Sequence, residues 1–264
     1  MNSIKALFFD VDGTLLSFRI HAIPSSAVNA IAQAHEQGVK IIIATGRARS
    51  IINNLDAIAP YIDGYITNNG AQAFLGDELV YCLPMPEADV QAMLRYVDEH
   101  DIACMVVGQT KHTFYRANKL SHEIFAHQLG VQNLCENAPL APVMEQPIVQ
   151  LTPIITQAQQ DEIMPQMPGS ISLRWRPEFS DMTAKGATKG YGVVAIAKRL
   201  GITVEQTMAF GDGENDIPMI RQAGIGVAMG QANPALKAAA DFVTTDVDDD
   251  GIRNALVHYH VITD

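Results

Sequence analysis

Short apolar runs that stop abruptly at polar residues set the frame of this chain. Ala6-Leu7-Phe8-Phe9 reads as a buried strand; it ends at Asp10, and a second acid, Asp12, follows two residues later. Gly13 then permits a turn, and Thr14 can bond to the freed backbone. Pro24-Ser25-Ser26 supplies a helix start, Val28, Ile31 and Ala32 an inward stripe, and Gly38 a stop. Residues 39–44 form a second apolar run, fit for a parallel strand buried on both faces. It ends at Thr45-Gly46-Arg47, and the spacing of Ile51, Ile52, Leu55 and Ile58 predicts another helix behind it. Tyr65-Ile66-Thr67 gives a third short strand, closed by Asn68-Asn69-Gly70. A βαβαβ order of this kind implies a parallel sheet with right-handed crossovers.

The texture then changes. Strand-like segments at 79–82, 103–107, 112–116, 149–155 and 171–176 alternate with helical ones at 86–100, 118–129 and 157–167. The βα rhythm returns at Lys189 with a helix to Leu200 and a strand at 207–210 that stops at Gly211-Asp212-Gly213. A helix carrying Ile217, Met219 and Ile220 follows, then segments at 225–228, 235–240, 242–244 and 252–258. The fold class predicted is α/β: a doubly wound parallel-sheet core from residues 1–80 and 184–264, with an inserted α+β module over 81–183.

Composition narrows the partners. Of 264 residues, 48% are hydrophobic and 18% charged, as expected of a folded soluble protein. A formal net charge of −11 argues against a general nucleic-acid binder, which needs a basic face, but not against a phosphorylated small molecule met by local cations. No stretch approaches a membrane span, and the N-terminal apolar run is too short for a signal peptide. Cys82, Cys104 and Cys135 lack metal-ligand spacing and read as reduced core thiols of a cytoplasmic protein. The histidines form no spaced metal cluster.

In an open parallel sheet, ligands bind in the crevice beyond the carboxyl ends of the strands. Polar residues fall there four times: Asp10 with Asp12, Thr45, Lys189 at a helix start, and Asp212 with Asn215 and Asp216. Two acids at a strand end can hold a hard cation, or divide into a nucleophile and a proton carrier. Each group alone has a plainer reading. The acids could cap a turn, Thr45 a helix, Lys189 could be solvated, and the last loop could be half of a calcium site that lacks its closing Glu.

Together and in this order, Asp10-Val11-Asp12-Gly13-Thr14, Thr45-Gly46-Arg47, Lys189 and Gly211-Asp212-Gly213-Glu214-Asn215-Asp216 resemble the motifs of the haloacid-dehalogenase-like (HAD) superfamily. The insert lies between the second and third motifs, as in the Cof-type subfamily with its α/β cap. Thr183-Ala184-Lys185-Gly186, Ile225-Gly226-Val227-Ala228-Met229-Gly230 and Asp249-Asp250-Gly251-Ile252 extend the likeness over the whole chain, toward bacterial hexose-phosphate phosphatases.

The resemblance implies a phosphoric monoester hydrolase acting through an aspartyl-phosphate. Asp10 would be the nucleophile and Asp12 the general acid and base. Mg²⁺ would be held by the Asp10 carboxylate, the Asp12 backbone carbonyl and Asp212, with Asp216 acting through metal-bound water. Thr45, the Gly46 N–H, Lys189 and Asn215 would bind phosphate, Thr45 and Gly46 at the start of their helix. Lys185 competes for the lysine role, but Lys189 opens a helical pattern. The inserted module would read the rest of a small phosphorylated metabolite, with Arg47, His112, Arg116, Arg174 and Arg176 as candidate contacts, although charged residues on a half-buried sheet usually face solvent. Trp175 reads as cap core rather than a stacking platform. The same core could serve phosphoryl transfer to another acceptor, as in phosphomutases, or a regulator that binds sugar phosphate without turnover. A phosphoacceptor signalling domain would need neither the insert nor Asp12. A monomer or weak homo-oligomer is expected.

Overall fold

A computed structural model describes residues 3–263, and thirteen strands run through them. In chain order these are β1 (Ala6–Phe9), β2 (Lys40–Ala44), β3 (Ile62–Thr67), β4 (Gln72–Leu75), β5 (Glu78–Cys82), β6 (Cys104–Gly108), β7 (His112–Tyr115), β8 (Ile148–Pro153), β9 (Ser170–Arg176), β10 (Phe179–Ala184), β11 (Thr207–Gly211), β12 (Ile225–Ala228) and β13 (Phe242–Val243). The chain divides into two compact units: Met1–Thr45, Asn54–Tyr81 and Thr188–Asp264 make the first, Gly46–Asn53 and Cys82–Ala187 the second.

The first unit carries an eight-stranded sheet in the order β13-β12-β11-β1-β2-β3-β4-β5. Pairing is parallel from β13 to β3, and β4 runs antiparallel to β3. Strand order reverses at β1, which lies between β11 and β2; a crevice opens at such a switch point. All four residues of β1 are buried, because the sheet is covered on both faces. Phe8 joins Ile42, Ile66 and Ala209 in a cluster closed by Val193 and Ile196 of the helix Lys189–Leu200 and by Met219 and Ile220 of the helix Ile217–Gln222. Alternation sends Phe9 to the opposite face, where its ring stacks on Phe210 at 4.8 Å. Burying a phenylalanine side chain contributes about 1.5–3 kcal/mol, so the strand that ends at Asp10 is held from both sides. The Lys189 helix is fixed at both ends. The Thr188 hydroxyl accepts from the Tyr191 amide at 3.1 Å, and Gly201 closes the helix at φ 71°.

The second unit is a five-stranded antiparallel sheet, β7-β6-β8-β10-β9. The helix Glu87–Glu99 lays Val90, Met93, Leu94 and Val97 against Cys104, Val106, Leu151 and Met182 of that sheet. No helix among the described residues is long and apolar enough to cross a membrane.

The segment after Arg47 is not a helix; only the short 3-10 turns Arg49–Ile51 and Ala59–Tyr61 form there. Asn54 takes φ 62° in the middle of the segment, so an α-helix cannot run through. Ile51, Leu55 and Ile58 are buried nonetheless. The segment Gly46–Asn53 belongs to the second unit, where Arg47 donates to the Asn53 side chain at 2.7 Å and to the Leu129 carbonyl at 3.3 Å, and Asn53 donates to the Gly130 carbonyl. The strand at 79–82 does not open the inserted module: it is β5, the edge of the first sheet, and β4 precedes it. The helix over 118–129 starts as Lys119–His122, capped by Asn118, and then widens into a π-helix, Glu123–Gln128. Of the free cysteines only Cys104 is a core thiol; Cys82 is half-buried and Cys135 exposed.

Candidate active site

The site is built where β1, β2 and β11 end. The Asp10 amide donates to the Phe210 carbonyl at 3.0 Å, prolonging the β1–β11 ladder by one residue and placing the Asp10 side chain just past it. The chain then folds back: the amides of Leu15 and Leu16 both donate to the Val11 carbonyl, at 3.0 and 2.8 Å. Gly13 sits in this turn at φ 88° and would collide with the Asp212 carboxylate if it bore a Cβ. The Thr14 hydroxyl donates to Asp212 Oδ1 at 3.4 Å instead of serving the turn's backbone. Gln231 donates to the Gly13 carbonyl and accepts from the Val247 amide at 3.2 Å, so it braces the turn from outside. No motif in the sequence singles Gln231 out.

Asp212 follows β11, and Asp216 ends the 3-10 turn Glu214–Asp216. Asp216 Oδ2 accepts from the amides of Asp212 and Gly213, each at 3.1 Å, which locks the loop. Its Oδ1 accepts from Lys189 Nζ at 2.6 Å, and the same ammonium donates to Asp10 Oδ1 at 2.6 Å. Lys189 is 0% exposed and lies among these carboxylates, whereas Lys185 lies at the surface.

Electrostatics follow from this burial. Desolvation, then the nearby Asp216 charge, push the Asp10 carboxyl well above its ordinary range, with Lys189 opposing them. Asp212 is pushed up to about 7, by burial first and Asp216 second. Burial disfavours the Lys189 ammonium, but the carboxylates of Asp10 and Asp216 more than reverse this, and its pKa is raised. Oxygens of Asp10, Asp212 and Asp216 lie within 4.8 Å of one another, and these three alone form such a group of possible metal ligands among the described residues. Two buried carboxylates and a half-buried one, with one ammonium among them, suit a hard divalent cation. Asp12, half-buried, stands outside that trio.

Thr45 is buried at the end of β2, its amide donating to the Ile66 carbonyl at 2.8 Å. No helix begins at Thr45-Gly46, so neither residue draws on a helix dipole. Asn215 Nδ2 donates to Asn69 Oδ1 at 3.2 Å. Asn69 was legible in the sequence only as part of a polar strand end, without a role.

The candidate substrate contacts of the second unit are scattered. His112 Nδ1 pairs with Ser50 Oγ at 2.8 Å and its Nε2 with the Asn133 carbonyl at 2.7 Å. Arg116 bonds Asp101, and Asp98 at 3.4 Å. Arg174 donates to Gln160 at 3.0 Å and to the carbonyls of Ile155 and Pro177 at 3.0 and 2.9 Å, so it braces the unit's own chain. Arg176 is held by Glu178 at 3.2 Å and Gln128 at 2.6 Å. Trp175 is not core. It is 43% exposed because β9 is the edge of its sheet, and its indole N–H donates to buried Asp181 at 3.2 Å.

This arrangement has known counterparts. The family model for haloacid dehalogenase-like hydrolases matches residues 7–256. The YkrA protein of Bacillus subtilis (strain 168) is 32% identical over 259 residues, covering 96% of each chain. The pyridoxal phosphate phosphatase YbhA of Escherichia coli (strain K12) is 27% identical over 285 residues, covering 98% of this chain and 99% of its own. Among solved structures, the HAD subclass IIB sugar phosphatase BT4131 is 44% identical with a TM-score of 0.91, over 98% of this chain and 100% of that one. With a matching model that spans nearly its whole length, the chain belongs to the haloacid dehalogenase-like hydrolase family.

Proposed function

We propose that the protein is a Mg²⁺-dependent phosphatase of small phosphorylated metabolites, hexose and related sugar phosphates foremost, working through a phosphorylated Asp10. The observation that carries this reading is the buried Lys189 ammonium joining Asp10 to Asp216 beside Asp212. In the first step the Asp10 carboxylate attacks phosphorus, the P–O bond to the sugar breaks, and Asp12 protonates the departing alkoxide. In the second, Asp12 takes a proton from water as its oxygen attacks the same phosphorus, which frees Asp10 and inorganic phosphate. The transition states are loose and their charge is spread over the phosphoryl oxygens, so positioning and neutralisation dominate. Lys189, the Thr45 hydroxyl, the Gly46 N–H and Asn215 supply the donors.

Asp10, Asp212 and the Asp12 carbonyl would hold Mg²⁺, which neutralises charge on the phosphoryl group when bound. Asp216 has both oxygens engaged by protein donors and therefore acts through the others. Selection of the leaving group falls to the inserted module predicted over residues 81–183, with His112 there and Arg47 outside it the contacts to vary first. The sugar assignment draws support from the BT4131 sugar phosphatase, and YbhA adds pyridoxal phosphate as a competing substrate. Free cysteines suit a reducing cytoplasm, and a monomer or weak homo-oligomer suffices for this chemistry.

Phosphate release from a panel of sugar phosphates, nucleotides and pyridoxal phosphate tests the reading. Each is run with Mg²⁺ and with EDTA, on the native protein and on Asp10→Asn. Metal-dependent release that the variant lacks supports it. No release on any compound shifts the reading to phosphoryl transfer or ligand sensing.

A further inference from the structure

The turn between β3 and β4, Asn68-Asn69-Gly70, is fully buried and held in a backbone conformation that most residues avoid: φ is 52° at Asn68, 54° at Asn69 and 100° at Gly70. Two successive left-handed asparagines in a protein interior persist only when the surroundings over-determine them, and such strain gathers at functional sites. Here the surroundings are the phosphate donors assigned above. The Asn69 amide donates to the Thr45 carbonyl at 3.1 Å. Asn69 Oδ1 accepts from Asn215 Nδ2 at 3.2 Å. Gly70 packs its α-carbon on the Thr188 carbonyl and the Lys189 amide. The turn is itself anchored, since Asn68 Nδ2 donates to Gln72 Oε1 at 2.9 Å and the Tyr81 hydroxyl to the Gly70 carbonyl at 2.9 Å.

We infer that Asn69 is a positioning residue of the phosphate site, acting through Asn215. A side-chain amide can present either N–H donors or a carbonyl acceptor to a ligand. By taking one Nδ2 hydrogen, Asn69 fixes which way the Asn215 amide faces and leaves its second N–H as a donor. Turned over, Asn215 would offer an oxygen that repels a phosphoryl group. The left-handed backbone is the means: it lets the Asn69 amide reach Thr45 while its side chain reaches Asn215.

This inference rests on the phosphatase reading for its kinetic consequence but has a readout that does not. Asn69→Gly keeps the left-handed backbone and deletes the acceptor. In the full-length protein it should lower the thermal midpoint by only about 2–4 °C, since glycine enters this conformation without strain and one hydrogen bond is lost. It should lower kcat/KM about tenfold, as expected when one preorganised donor is misdirected. Added to Asn215→Ala, it should cost nothing further, because both changes remove one interaction. The Asn215 side-chain amide resonance, identified by its loss in Asn215→Ala, should exchange with solvent slowly in the native protein and quickly in Asn69→Gly. An additive double variant, or an Asn215 resonance unmoved by Asn69→Gly, would overturn the inference. Absence of turnover in the native protein strikes the phosphatase reading alone, because the resonance is read without substrate.

Discussion

Gly70 presses on the carbonyl of Thr188, the residue that caps the helix carrying Lys189. A Cβ at Gly70 would stand 2.8 Å from the Lys189 amide and closer still to the Thr188 carbonyl. At φ 100° an L side chain is strained as well. Gly70→Ala must therefore push back the start of that helix, and with it the ammonium 2.6 Å from Asp10. Displacement of a catalytic group by about 1 Å costs on the order of 10²-fold in rate, and backbone strain of this type costs about 1–3 kcal/mol. Gly70→Ala should lose both activity and stability, read as kcat/KM and a urea midpoint. Wild-type values for both would show that the helix start is not held by this contact.

Removing the ammonium is the sharper perturbation. Lys189→Met keeps length and apolar stem but leaves Asp10 and Asp216 buried together without a counter-charge. Breaking a buried ion pair from one side typically costs about 3–5 kcal/mol, and loss of one transition-state donor about 10²–10³-fold in kcat. Both losses should appear in Lys189→Met. Lys189→Arg should not restore activity, because a planar fork does not fit the fully buried space of a point charge. Full activity in Lys189→Met would remove the residue from the catalytic scheme.

What the sequence disclosed, and what it concealed, divides along physical lines. The strands ending at Asp10, Thr45 and Asp212 are continuous apolar runs broken by acids, threonine or glycine, and both faces of the sheet are covered, so pattern and burial agree. The segment behind Arg47 misleads because Ile51, Leu55 and Ile58 are buried at near-helical spacing while the left-handed Asn54 breaks the helix. Strand β4 is only four residues long and follows a glycine turn, which leaves no periodicity to read. Asn69 and Gln231 act through contacts 146 and 218 residues away in sequence, which no local pattern encodes. Trp175 misleads because its neighbours alternate as a buried strand would, whereas β9 is an edge.

Metal and pH should be linked through stability. Burial and Asp216 raise Asp212 to about 7, so the folded protein without metal holds a proton that the unfolded chain has released above about pH 4. The sign follows: stability from this group is full below the unfolded value and is lost as pH rises through 7. In EDTA the thermal midpoint should therefore fall between pH 5 and pH 8. Mg²⁺ favours the ionised carboxylate and should raise the midpoint most at pH 8; at about 100 times its Kd a ligand adds ~2.7 kcal/mol. Asp212→Asn should weaken the pH dependence, leaving the part that the raised Asp10 carboxyl carries, and abolish the Mg²⁺ effect. A native midpoint indifferent to Mg²⁺ at pH 8 would contradict a cation bound by these carboxylates.

The second unit holds a buried carboxylate that the chemistry does not use. Asp181 Oδ1 accepts from Thr152 at 2.7 Å and from Gln150 at 3.2 Å, and its Oδ2 accepts from the Trp175 indole. A carboxyl group is tolerated in the interior only when its oxygens are bonded, and its removal costs its donors their partner, so the network should respond as a unit. Asp181→Ala removes the shared acceptor of three hydrogen bonds, leaving Gln150 its bond to Thr152 Oγ1, and should destabilise the protein by about 1–3 kcal/mol, while Asp181→Asn keeps an acceptor and should cost less. The chain has a single tryptophan, so intrinsic fluorescence reports Trp175 alone. With its indole released, the emission of Asp181→Ala should differ from that of the native protein under folding conditions, whereas Asp181→Asn should stay close to native. Identical spectra in all three proteins would mean that the indole does not depend on this carboxylate, and that Trp175 is held by its edge contact with Phe179 at 5.1 Å instead.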